Sequence, residues 1–312
     1  MAKRKTIQVI ATLPPYAAHR AAVIGSPLVD ELRFNTVWEI GVSERELLAR
    51  LRDECGDKPL WIDLKGRQLR ITHYANMPYA FLRVSHPIEV DLPCEILFKD
   101  CSAKVVDIVG GDKLVLDGPP DYVVGIGQPV NILHPSLKIK GTLTDSDKRY
   151  IEAANELGLD RFMLSFVESA ADASELMRSA AAMAPKVVLK IESPGGLRYI
   201  RKRALLGFGG QMRLMAARDD LFIQLGRDGA GYLKALGQIA KYDKTAIAAS
   251  RILQSLEKGS ELAASDIADL ELLWRLGYRH FMLSDGICQR AEAFRRVAAV
   301  FAGLVESWRE RK

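Results

Sequence analysis

The sequence predicts an α/β protein, a (β/α)8 TIM barrel with a small all-β insertion domain after strand 3. Three observations predict it. Short apolar runs alternate with helix-spaced patterns along most of the 312 residues. Helical periodicity vanishes from about Arg70 to about Lys138. Polar side chains gather where the predicted strands end, which is where barrels of this class carry chemistry.

Residues 7–12 read as the first strand, stopped by Pro14-Pro15, and residues 32–35 as the second. Residues 43–53 read as a helix, with Ser43 as N-cap and Glu46 completing a capping box. Residues 60–63 form the third strand and lead into Lys65-Gly66. The next stretch is rich in Val, Ile, Pro and Gly, punctuated by Gly110-Gly111 and Gly118-Pro119-Pro120, and reads as small strands and turns, 95–99 among them. Domain boundaries follow: residues 1–70 and 139–312 for the barrel, 71–138 for the insertion, with hinges near 72–78 and 134–140. Alternation then resumes. Helices are expected at 145–157, 170–182, 195–206, 232–240, 252–257, 264–276 and 289–308, and strands at 161–165, 186–191, 220–225, 245–249 and 280–284. An open doubly wound sheet is the alternative, weakened because no Gly-x-Gly-x-x-Gly follows the first strand.

Composition bounds the function. The chain is 48% hydrophobic and 27% charged, with a mild net charge of +5. The basic residues are dispersed, so nucleic acid is not an expected partner, whereas small anionic substrates are compatible. No run of ~18 apolar residues is present, so no membrane partner is expected. The N-terminal stretch lacks a secretory h-region, and Cys55, Cys94, Cys101 and Cys288 are scattered, as in a reduced cytoplasmic protein. The scattered histidines make a zinc site improbable.

Residues 187–193, Val-Val-Leu-Lys-Ile-Glu-Ser, carry the sharpest chemical signal. Alternation along a strand puts Lys190 and Glu192 on one face. A carboxylate beside a lysine at a buried strand end suits a divalent metal, Mg²⁺ or Mn²⁺, plus an acidic substrate. A simple strand-end ion pair is the plainer alternative. The other expected strand ends supply Thr12, Arg33, Asn35, Asp63, Lys65, Ser165, the Gly226-Arg227-Asp228-Gly229 turn, Ser250, Ser284 and Asp285.

Taken in order, these segments resemble the pyruvate kinase family. Residues 10–15, Ile-Ala-Thr-Leu-Pro-Pro, resemble the opening A-T-I-G-P, and 32–35, Leu-Arg-Phe-Asn, resemble R-L-N. Residues 62–70 resemble D-T-K-G-P-E-I-R and keep Asp63, Lys65, Gly66 and Arg70. Residues 189–192 match K-I-E, 248–256 resemble A-T-Q-M-L-E-S-M, and 282–284 resemble M-L-S. The resemblance implies that Lys190 stabilises a transferring phosphoryl group or an enolate and that Glu192 holds Mg²⁺. Arg33, Asn35 and Arg70 are implied in phosphate contact or orientation, Asp63 and Lys65 in binding, and Ser250 in proton transfer. Lys138 and Lys140 fall where a lid returns.

The departures carry equal weight. Placing strand six at 220–225 aligns A-R-G-D-L-G with residues 224–229, which puts Arg227 in the aspartate position and makes Asp228 the substitute metal ligand. Val37 and Leu64 replace oxygen ligands of a monovalent cation, so no K⁺ is expected. Trp38 replaces a histidine near the nucleotide, Gln68 a glutamate, and Asp285-Gly286 stand in M-L-S-G-E-T. The family's C-terminal effector domain is expected to be missing.

The implied function is Mg-dependent phosphoryl transfer between phosphoenolpyruvate and a nucleoside diphosphate, with ADP/ATP as co-substrate, K⁺-independent and without allosteric control. The alternatives are a Mg-dependent pyruvate-enolate lyase or aldolase using no nucleotide, or a catalytically impaired homologue. A homo-oligomer is compatible with the sequence, which leaves the oligomeric state open.

Overall fold

A computed structural model describes residues 7–38, 40–75, 80–98, 101–121, 124–180, 184–203, 210–259 and 261–310. Two compact units emerge, one of Met1–Leu64 with Arg149–Lys312 and one of Lys65–Lys148.

The first unit opens with β1 (Gln8–Thr12), the short α1 (Arg20–Ile24), β2 (Glu31–Asn35), α2 (Glu44–Cys55) and β3 (Leu60–Leu64). Ser43 caps α2 as expected, its hydroxyl accepting from the Glu46 N–H, and Leu47, Leu48, Leu51 and Cys55 form the buried stripe.

The second unit contains β4 (Ile71–Ala75), β5 (Phe81–Val84), β6 (Ile88–Glu89), β7 (Cys94–Leu97), β8 (Ser102–Val109), β9 (Lys113–Leu116) and β10 (Lys138–Ile139). Five of them form an antiparallel sheet in the order β4-β5-β9-β8-β7, and β10 pairs with β6. The β8–β9 hairpin turns through Gly110 and Gly111 at φ 66° and 84°, a left-handed pair that side chains disfavour. Leu82, Ile96, Val105 and Leu114 are fully buried at its centre, so the unit has a core of its own. The expected strand at 95–99 is seen as Cys94–Leu97, while residues 99 and 76–78 lie outside the described residues.

Chain order continues with α3 (Asp145–Leu157), β11 (Arg161–Leu164), α4 (Ala170–Ser179), β12 (Lys186–Ile191) and α5 (Pro194–Arg203). The expected tails of α4 at 181–182 and α5 at 204–206 lie outside the described residues. Next come β13 (Met212–Ala217), α6 (Arg218–Gln224), α7 (Gly229–Tyr242), β14 (Ile247–Ala249), α8 (Gln254–Lys258), α9 (Ala264–Leu276), β15 (His280–Met282), α10 (Asp285–Gln289) and α11 (Ala291–Glu310). The eight long-range strands close into a barrel in the order β1-β15-β14-β13-β12-β11-β3-β2, every neighbouring pair parallel. The predicted α/β barrel with its all-β insertion is therefore the observed architecture.

One expectation fails. Residues 220–225 are not strand six but fall in α6 and the turn after it, and the strand is Met212–Ala217. Met, Leu and Ala favour helix, yet here they lie between β12 and β14 and are buried from Leu214 to Ala217. Tertiary pairing overrides local preference.

The barrel interior is built in layers. Ile10, Trp61, Met163, Val188, Met215, Ile247 and Met282, one from each of seven strands, pack together. Side chains two residues further along a strand point the same way. That layer is therefore followed toward the C-terminal mouth by Thr12, Asp63, Lys190, Ala217 and Ala249, with Ser165 just past β11 hydrogen-bonded to Lys190.

Candidate active site at the barrel mouth

Lys190 leaves β12 two residues beyond the interior Val188. Its Nζ donates to Ser165 Oγ at 2.7 Å and lies 3.4 Å from both Asp63 Oδ1 and Glu192 Oε1. Burial alone would lower the Lys190 pKa, but Asp63 and Glu192 outweigh it and raise the value, so the side chain is a fixed cation. Ser165 is oriented by the Leu64 carbonyl at 2.9 Å.

Glu192 is almost wholly buried and accepts the Phe166 N–H at 2.5 Å. Burial pushes its carboxyl pKa well above the usual carboxylate range. The charges of Asp220 and Asp63 add to that rise, and Lys190 opposes it. Phe166 reaches its position with φ 53°, a left-handed conformation at the end of β11. The following loop is keyed to the start of α5, where a Cβ on Gly196 would lie 2.7 Å from the Val167 carbonyl oxygen.

Asp220 is the acidic residue that the sequence reading missed. It sits in the first turn of α6, directly after β13, and its charge acts on both Lys190 and Glu192. With strand six corrected, residues 217–221 read Ala-Arg-Asp-Asp-Leu, which matches A-R-G-D-L at all but one position. Asp228, expected as the metal ligand, is instead the exposed N-cap of α7, accepting from Ala230 N and Gly231 N at 3.1 and 3.0 Å. The ground for choosing Asp228 falls with the misplaced strand, and Arg227 likewise lies in the α6–α7 turn, not at a strand end.

Across the mouth, Arg33 spans two carboxylates. Its Nε and NH2 donate to Asp63 Oδ2 at 2.8 and 2.6 Å, and its NH1 donates to Thr12 Oγ1 at 3.0 Å and Asp285 Oδ2 at 2.8 Å. Asp285 also accepts from Asn35 Nδ2 at 3.1 Å and Trp38 Nε1 at 2.9 Å. Burial works against ionisation of Asp285, but Arg33 and these donors outweigh it and hold the carboxyl below its ordinary value. Asp63 thus joins the two halves, with Arg33 on one oxygen and Lys190 on the other.

Ser250, just past β14, has φ 65° and is followed by Arg251 at φ 57°. Its carbonyl is gripped by the buried Arg218, whose NH2 and Nε donate to it at 2.6 and 3.0 Å and whose NH1 is bidentate to Asp269 at 2.6 and 2.8 Å. Arg218 therefore braces the ends of β13 and β14.

The remaining expected residues belong to the second unit. Lys65 donates through its backbone to Asp147 at 2.8 Å and through Nζ to Ser146 at 3.1 Å. Arg70 donates to the Gly127 carbonyl at 2.8 Å and to Gln68. Lys140 pairs with Glu89 at 2.5 Å on the surface.

Among the described residues no group of three or more His, Cys, Asp and Glu side chains forms a complete metal-ligand set. The donor chemistry nevertheless fits Mg²⁺, which is usually held by one or two carboxylates with water and substrate oxygens filling the rest. Glu192 and Asp220 are the carboxylates that would hold it. Arg33 and Lys190 face Asp63, Glu192, Asp220 and Asp285, so the mouth carries an excess of two negative charges when all four are ionised. Among the described residues no helix is long and apolar enough to cross a membrane.

No family model matches the chain. It is similar to curated pyruvate kinases. One from Encephalitozoon cuniculi is 31% identical over 130 residues, covering 41% of this chain and 29% of the relative. One from Borreliella burgdorferi is 24% identical over 268 residues, 78% of this chain and 55% of the relative. One from Thermoplasma acidophilum is 24% identical over 293 residues, 84% of this chain and 51% of the relative. In the two longer matches the chain spans about half the relative's length. The chain is thus similar in sequence to curated pyruvate kinases and carries a closed parallel eight-stranded barrel.

Proposed function

We propose that the barrel mouth carries out divalent-metal-dependent chemistry on phosphoenolpyruvate/pyruvate-like anions, with phosphoryl transfer to and from a nucleoside diphosphate as the reaction. The observation that carries this reading is Lys190, its side chain 12% exposed and held between Asp63, Glu192 and the field of Asp220. A bound Mg²⁺ or Mn²⁺ would supply Lewis-acid neutralisation of the substrate oxygens. Glu192 and Asp220 are the residues to hold it. Lys190, already a fixed cation, stabilises negative charge as it develops on the transferring phosphoryl group or the enolate oxygen. Ser165 and Asp63 fix the ammonium in place, so little reorganisation accompanies the charge shift. Ser250, just past β14, is the hydroxyl for proton delivery to the enolate carbon. Val37 and Leu64 offer no side-chain oxygen, so K⁺ is not part of the reaction.

A second reading, enolate lysis or condensation without a nucleotide, is favoured by one observation. Arg33, the other cation at the mouth, is already neutralised by two carboxylates. Thermal unfolding with Mg²⁺ and oxalate, then with ADP added, tests both. Stabilisation by each addition, together with ATP formation from phosphoenolpyruvate and ADP, is expected. Stabilisation by Mg²⁺-oxalate with no response to ADP or ATP rejects the phosphotransferase in favour of the second reading. No response to Mg²⁺-oxalate rejects both.

A further inference from the structure

We infer that Asp285 is a specificity-determining residue, an internal anion that competes with the phosphoryl group of a ligand for Arg33 and so biases the mouth toward ligands lacking that group. The inference rests on the reading of the barrel mouth as the ligand site.

Arg33 is the guanidinium of the mouth, and a guanidinium binds carboxylate or phosphate oxygens through paired N–H donors. Four of its hydrogen bonds are already made, to Asp63 twice, to Thr12 and to Asp285. The two carboxylates differ in kind. The Asp63 side chain is 3% exposed, sits within β3 and also faces Lys190. The Asp285 side chain is 29% exposed and stands at the first position of α10, a helix of only five residues. Asp285 is therefore the partner that an incoming anion can replace, and Asp63 is not.

Three donors hold Asp285 in place: Arg33 NH1, Asn35 Nδ2 and Trp38 Nε1. Tyr16 packs edge-on against Trp38, with ring centroids 6.0 Å apart, and supports the indole. A phosphoryl oxygen arriving at Arg33 must displace a carboxylate from these donors and then lie beside it. Like charges so placed repel, and the cost falls on phosphate-bearing ligands. A 2-oxoacid engaged through Lys190 and the Glu192–Asp220 side does not need Arg33, so its binding is spared.

The test is calorimetric titration of the whole protein and of Asp285→Asn with inorganic phosphate, phosphoenolpyruvate and Mg²⁺-oxalate. Asn has the shape of Asp without its charge. The expected result is phosphate and phosphoenolpyruvate binding tightened by about tenfold or more, roughly the effect of one removed charge contact, with Mg²⁺-oxalate changed by less than about threefold. The gain must vanish in the Arg33→Gln/Asp285→Asn double variant. Trp38→Phe, which removes one donor to Asp285 and leaves the ring, is expected to shift phosphate the same way by a smaller factor. Unchanged or weaker phosphate binding in a folded Asp285→Asn protein overturns the inference. If Asp285→Asn does not fold, Trp38→Phe decides by the same criterion. Loss of Mg²⁺-oxalate binding in all proteins, with the phosphate gain intact, would reject the pyruvate-type reading and leave the competition at Arg33 standing.

Discussion

The two sides of the barrel mouth use the same kinds of residue to opposite ends. On the β12–β13 side, one lysine faces more carboxylate than it can neutralise, and Glu192 has its pKa raised by burial and by Asp220. On the β2–β15 side, one arginine and two neutral donors converge on Asp285, whose pKa is lowered. The first side gathers three carboxylates, Asp63, Glu192 and Asp220, around one lysine. The second is closed on itself. Pairing state, rather than the presence of charged residues, separates a reactive cluster from a satisfied one.

The largest effect that would break this comparison is expected at Lys190. Lys190→Met should lower kcat/KM by about 10²–10³, the ~3–4 kcal/mol typical of a lost electrostatic stabiliser. Steady-state and single-turnover rates measure it, with circular dichroism to establish folding. Activity within about tenfold of the parent would deny Lys190 its role.

Asp220 and Asp228 form the next contrast. Asp220→Asn should weaken Mg²⁺ or Mn²⁺ by about tenfold or more, one ligand's worth. Asp228→Asn should leave metal affinity unchanged and, since Asn also caps well, alter stability by well under ~1 kcal/mol. Mn²⁺ titration followed by water-proton relaxation distinguishes them, and a larger loss for Asp228 would restore the original alignment.

The opposed pKa shifts give a pH signature. A carboxyl whose folded pKa is raised holds its proton more tightly in the folded state, so its contribution to stability falls as pH rises from the ordinary carboxylate value, ~4.3, toward neutrality. Asp285 has the reverse sign, with stabilisation present above the ordinary Asp value and lost as pH falls through its lowered folded value. In metal-free protein, Glu192→Gln should flatten the decline toward neutrality, and Asp285→Asn should flatten the loss in acid. Melting temperatures across pH 3–8 read both, and the same slope change from both variants would erase the distinction.

The smallest expected effect is none. Exchanging K⁺ for a bulky organic cation should leave turnover unchanged, because Val37 and Leu64 provide no side-chain oxygen. Strong K⁺ activation would show that backbone or substrate oxygens build a monovalent site regardless.

The legibility of the chain follows the same division. Residues 186–191 can be read as a strand with matching bounds because Val187, Val188 and Ile191 are β-branched. Strand alternation alone puts Lys190 and Glu192 together. Arg33 and Asp63 are picked out only as polar residues at other expected strand ends, with roles implied by the family resemblance. Strand six was hidden because Met-Arg-Leu-Met-Ala-Ala carries helix-forming residues, while the following Asp-Leu-Phe-Ile-Gln-Leu carries strand-like bulk. What makes 212–217 a strand is the pairing with Lys186–Ile191 and Ile247–Ala249, which is non-local. The Ala-Arg-x-Asp spacing at 217–220 was the local signal that would have placed it. The Arg33–Asp285 pair, separated by 252 positions, leaves no local trace at all.

The contact between Gly196 and the Val167 carbonyl bears on how this chain tolerates change. Adding a single methyl at 196 would push on main chain, not on a side-chain tip that can swing away. That main chain continues directly from Phe166, whose N–H fixes Glu192. Libraries that randomise 166–168 and 193–196 separately should therefore be depleted of active members, and paired changes across the two segments should recover them. The two loops therefore act as one mechanical unit, and a change in either has to be accommodated by the other.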